Sequence, residues 1–136
     1  MEALVELLHS KGCSCVIRNG EVVREYYQRG VKDIYTLYTV EPEFLRGASI
    51  ADKVIGRAAA ALMILGGVKK IYADTISLLA LETLSKSGVE VSYSQAVPHI
   101  INRTKSGLCP LESATKELES LEQIFAAIEK FLSSQT

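Results

Sequence analysis

The sequence predicts an α/β protein in three layers, α-β-α, with helices on both faces of a mixed β-sheet. Three features carry this reading. A hairpin signal lies near the N-terminus. After it, helix-patterned segments alternate with short β-rich runs. No linker, internal repeat or low-complexity stretch divides the 136 residues, so the chain reads as one domain over 1–136, with the polar tail at about 133–136 frayed. At 48% hydrophobic and 23% charged residues, there is apolar material for one core.

The elements follow in order. Leu4, Val5, Leu7 and Leu8 in "MEALVELLHS" form the apolar side of a short amphipathic helix that stops by Gly12. In "CSCVIRNGEVVREYY", two β-rich runs flank Asn19-Gly20, a pair suited to a two-residue type I′ turn. "DIYTLYTVEPEFLRGA" reads as irregular helix, interrupted near Pro42. "ASIADKVIGRAAAALMILGG" carries the strongest helix signal, with Ser49 as cap, Asp52 in the first turn and Gly66-Gly67 at the close. Its residues are apolar nearly all round after Ala58, so it should be buried. "KKIYADTI" is a short buried strand, and "SLLALETLSKSG" a second helix capped by Ser77. "VEVSY" and, more weakly, "VPHIIN" read as strands. From about Pro110 to Leu132 the chain is helical and amphipathic.

Composition excludes several functions. With 15 basic and 16 acidic residues, the net charge of −1 offers no electrostatic case for nucleic-acid binding. The longest apolar run, Ala58 to Leu65, is far short of a membrane span, and the acidic N-terminus has no basic leader pattern, which points to a cytoplasmic protein. Three cysteines, Cys13, Cys15 and Cys109, are an odd set and no disulfide framework. Cys13 and Cys15 alternate on one strand and read as small core residues. Neither His9 nor His99 has a partner at metal-ligand spacing, and His99 reads as a partly buried structural histidine.

Taken together, "CSCVIRNGEVVREYYQRGVKD", "LRGASIADKVIGRAAAALMILGGVKKIYAD", "VPHIINR" and "CPLE" resemble a prokaryotic family, the domain of unknown function 1893. The resemblance implies a cytidine deaminase-like fold, a hairpin followed by helix-backed strands in one mixed sheet; the family carries no established activity. Zinc deaminases need H-x-E at the first of these helix starts and P-C-x-x-C at the next. This sequence has Ile50-Ala51-Asp52 at the first and "ADTISLLALE" at the second, without histidine or cysteine at either. No zinc is therefore expected, and the fold alone does not set a function.

The polar residues at element ends are the candidates for a ligand site. Ser49, Asp52 and Lys53 open the central helix as read here, where a carboxylate and an ammonium can line a pocket. Asp74 ends the strand "KKIYAD", as a ligand contact or as an Asx-turn. Asn102 and Arg103 follow the last strand, and arginine can clamp a phosphate or carboxylate. Pro110 at the first helical position makes Cys109 the N-cap and puts Glu112 in the first turn. A thiol there gains from the helix dipole, while Glu112 opposes its ionisation. The expected function is binding of a small anionic ligand such as a nucleotide or metabolite, by Ser49, Asp52, Lys53, Asp74, Asn102, Arg103 and Glu112. The alternatives are a zinc-independent enzyme with Cys109 as reactive thiol, or a structural interaction protein. An edge strand and a long amphipathic terminal helix leave surface to cover, so a homodimer is expected.

Overall fold

A computed structural model describes residues 1–28, 30–100 and 110–134. The chain runs α1 (Glu2–Ser10), β1 (Cys15–Asn19), β2 (Val22–Tyr26), α2 (Lys32–Val40), α3 (Pro42–Leu45), β3 (Ser49–Ile55), α4 (Arg57–Leu65), β4 (Lys70–Ser77), α5 (Leu78–Ser85), β5 (Glu90–Val97), α6 (Pro110–Thr115) and α7 (Leu121–Ser134). The five strands form one mixed sheet in the order β2-β1-β3-β4-β5. β1 pairs antiparallel with β2 and β3, whereas β3, β4 and β5 are parallel.

Strand alternation sorts the side chains of β1 into two cores. Cys15 and Ile17 enter the large core with residues of α2 to α7, while Val16 faces Leu4 and Leu8 of α1. The three layers are therefore α1, the sheet, and the other helices. Every residue of α4 from Arg57 to Met63 is buried, because the sheet, α2, α5, α6 and α7 enclose it. An alanine-rich helix suits that place, since small side chains let four neighbours approach closely. α7 docks through Ile124 and Ile128, and Phe125 stacks on Tyr35 of α2 with ring centroids 5.8 Å apart. No helix among the described residues is long and apolar enough to cross a membrane.

The structure corrects several sequence expectations. Residues 49–55 are not the start of the central helix but β3, the third of five strands. The stretch "SIADKVI" lies between β1 and β4, with Ile50, Ala51 and Ile55 fully buried. A strand buried on both faces loses its period-2 signature and merges with the apolar helix behind it. The hairpin loop is Gly20-Glu21, since Asn19 is still paired with Val22, and the positive φ of 62° falls on Gly20. Asn19 instead donates its side-chain amide to the carbonyls of Phe44 and Arg46, at 2.8 and 3.0 Å, tying the hairpin to the entry of β3. β4 continues past Asp74 to Ser77, and β5 runs on to Val97, so residues 98–100 are not a further strand. The terminal helix is two, α6 and α7. Ser77 does cap α5, accepting from the Ala80 N–H at 3.1 Å.

Candidate functional site

Parallel strands all end at the same edge of the sheet, and a ligand cleft is expected there. Beyond β3, β4 and β5 lies a cleft of about 470 Å³ lined by Val54, Thr75, Val97, Pro98, His99 and Ile100. Val54 and Thr75 are register partners on neighbouring strands. The chain then turns at Pro98 and carries His99 and Ile100 over the strand ends. The walls are mainly apolar; Thr75 and His99 supply the polar groups. His99 Nδ1 is buried and has no hydrogen-bond partner among the described residues. An unpaired buried nitrogen costs about 1–3 kcal/mol, so it asks for a partner.

The back of this region is closed by Glu112 at the start of α6. Its side chain is buried, with both oxygens engaged: Oε1 accepts from the Arg57 N–H at 3.0 Å and Oε2 from the Ile100 N–H at 2.7 Å. The first N–H of α4, which would otherwise face an anion, is thus met by a carboxylate of the chain itself. This corrects the expectation that Glu112 and the central helix start would be presented to a ligand. Gly56 permits the arrangement, because a Cβ there would stand 3.2 Å from Glu112 Oε1 and 3.3 Å from Ile100 Cγ1. Arg57 completes the brace. Its Nε donates to Thr83 Oγ1 at 3.1 Å, and Nη1 to the carbonyls of Thr115 and Lys116 at 2.9 and 2.8 Å. A buried guanidinium on the last carbonyls of α6 acts as a C-terminal cap.

Asp52 sits on β3 opposite Cys15 of β1, not in a helical first turn. Burial pushes its carboxyl up to about 7, and the charge of Asp74 adds to that. The N–H groups of Val54 and Lys53 and the Cys15 thiol pull the other way, the Val54 N–H lying 3.2 Å from Oδ1. Burial first, then Asp52 and Asp33, hold the Cys15 thiol well above its ordinary range. Burial also raises Asp33 and Tyr26. Cys15 and Tyr26 stay protonated near neutrality, and Asp52 is the group beside them that can exchange a proton there.

Ser49, Lys53 and Asp74 do not gather at the cleft. Ser49 begins β3, about 13 Å of extended chain from Lys53, at the opposite end of the strand from the cleft. Lys53 is exposed, and its backbone N–H bonds the Ser14 carbonyl at 3.0 Å. Asp74 is not a strand terminus; its Oδ1 lies 2.7 Å from His9 Nε2 of α1 and accepts from the Tyr72 hydroxyl at 2.7 Å. Asn102, Arg103 and Cys109 lie outside the described residues. The residues that sequence reasoning passed over are Thr75, Val54 and His99. The available signal was the step from "SYSQAV" to Pro98-His99, a proline that ends a strand beside a polar ring.

The helix starts after β3 and β4 carry Gly56-Arg57-Ala58 and Ser77-Leu78-Leu79, without a soft or imidazole ligand. Among the described residues, no three His, Cys, Asp or Glu side chains gather as a metal would require.

The family described as Domain of unknown function (DUF1893) matches residues 3–132. The crystal structure of a DUF1893 family protein from Thermotoga maritima is similar with a TM-score of 0.87 and 24% identity, covering 95% of this chain and 87% of that one. At that identity the likeness concerns the fold. No curated protein matches the sequence.

Proposed function

The chain belongs to the DUF1893 family, and within a family without an assigned activity we propose that it is a small-molecule binding protein, with its site in the cleft beyond β3, β4 and β5. The observation that carries the reading is the apolar cleft itself, at whose wall His99 holds a buried Nδ1 without a hydrogen-bond partner among the described residues. Val54, Val97, Pro98 and Ile100 suit the faces of a planar ring, and Thr75 and His99 can hydrogen-bond its edge. A nucleotide or a related heterocyclic metabolite meets this description. Its anionic part would stay outside the cleft, because Glu112 already accepts from the Arg57 N–H at the start of α4; Lys53 is the one cation on β3. The scaffold reading remains cytidine deaminase-like, as the sequence resemblance implies, with binding in place of zinc chemistry. Free, buried Cys13 and Cys15 suit a reducing cytoplasm.

The test is calorimetric titration of the protein with nucleosides and nucleotides, preceded by mass spectrometry of molecules that co-purify with it. His99→Ala should weaken binding of any ligand so found by about fivefold to a hundredfold, the worth of one buried hydrogen bond, while leaving the unfolding temperature nearly unchanged. Binding that is indifferent to His99→Ala would remove the cleft as the site.

A further inference from the structure

We propose that the protein forms a two-fold dimer in which β5 pairs antiparallel with β5 of a second copy and α5 closes against its counterpart. β5 is the outermost strand on its side of the sheet, and among the described residues nothing pairs with its free edge. Glu90 and the run from Ser92 to Ala96 are exposed. Sheet edges that must stay single are blunted by lysine, proline or a bulge. β5 has none of these: its register with β4 is regular from Glu90 to Val97, and Pro98 comes only after it ends. Its one charge, Glu90, is already held by Lys70 at 3.1 Å.

α5 supplies the second observation. It carries Leu78, Leu79, Ala80, Leu81 and Leu84 in eight residues, and a helix apolar on so many sides is normally enclosed. Yet Leu78 is 53% exposed, and Leu79 and Leu81 are only half-buried. α5 packs on β4 and β5, so its open flank lies beside the open strand. Tyr93 is level with Ala73, a residue of the large core, and therefore faces the α5 side; it is 47% exposed.

A second copy fits this edge better than a foreign strand because the surface complements itself. A two-fold axis normal to the sheet keeps the faces matched and brings the two α5 helices together on one side. Directly opposed residues of an antiparallel pair share a face, so a register centred on Tyr93 keeps every side chain on its own side. Tyr93 then meets Tyr93 of the partner subunit, Ser92 meets Ser94 of the partner subunit, and Glu90 meets Ala96 of the partner subunit. No like charges oppose, and an aromatic pair sits on the axis. A strand pair alone is narrow beside the roughly 800 Å² per partner of a stable interface, and the α5 flank is what widens it.

Light scattering at about 10 µM should return twice the 14.9 kDa of one chain. Tyr93→Lys and, separately, Leu78→Glu should each weaken the dimer at least about tenfold, with an unchanged circular dichroism spectrum confirming the fold. Tyr93→Cys in a Cys109→Ser background should give a disulfide-linked dimer under mild oxidation; Cys13 and Cys15 are buried and do not compete. A wild-type monomer, which would leave the edge to a strand of another protein, overturns the proposal. So does a dimer that both substitutions leave intact and Tyr93→Cys fails to cross-link.

Discussion

Replacing Asp52 by asparagine should stabilise the protein at alkaline pH and change little at acid pH. The carboxyl ionises at about 7 in the fold and near 3.8 in an ordinary setting. Its folded value is raised, so the fold prefers the protonated form. The associated stability is therefore fully present below about pH 4, falls between pH 4 and 7, and is lost above 7. A carboxyl held that far from its ordinary range corresponds to about 4 kcal/mol. Asp52 keeps part of its surface in water, and screening reduces this to roughly 2 kcal/mol. The asparagine side chain would keep the shape and one acceptor for the Val54 N–H, with no charge to bury. Urea denaturation of both proteins at pH 4.5 and pH 8 is the assay. We expect parental stability to drop by about 2 kcal/mol between those conditions through Asp52, and Asp52→Asn to remove that share of the drop. For a chain of this length, the difference at pH 8 is roughly 7 °C in unfolding temperature. If the two proteins lose stability in parallel as pH rises, Asp52 is ionised in the fold without penalty and the buried-proton reading fails.

Two further outcomes test the brace behind the cleft. Glu112→Gln leaves one of the two N–H donors, Arg57 or Ile100, facing an amide nitrogen, and should cost about 2–3 kcal/mol in chemical denaturation. A loss under about 0.5 kcal/mol would mean that the carboxylate is not what holds α4 to residues 98–100. Gly56→Ala meets no backbone strain, since φ is −99°, so its cost of about 1 kcal/mol should come from contact with Glu112 and Ile100 alone. In a Glu112→Ala background that cost should shrink, and a cost that persists would place the obstruction elsewhere.

How much was legible in the sequence can be followed residue by residue. Local chemistry determined α1, the hairpin, the burial of Ala58 to Met63 and the Ser77 cap, because each depends on neighbours within a few positions. Proline at the head of α6 and Glu112 in its first turn were equally local. What Glu112 bonds to was not, since Arg57 lies 55 residues away in the chain. The identity of β3 was not local either. "SIADKVI" is a strand because β1 and β4 offer hydrogen bonds on both sides, and its burial on both faces erased the alternation that marks a strand. That single change moved Ser49 away from the cleft, set Asp52 against Cys15, and left the true start of the central helix at Gly56-Arg57. The sequence alone thus determined the class of fold and the residues able to carry charge or hydrogen bonds. The tertiary structure alone decided which of those charges are spent inside, as Glu112 and Arg57 are, and which polar atom, His99 Nδ1, lacks a partner among the described residues, because partners are settled by strand order and packing across the whole chain.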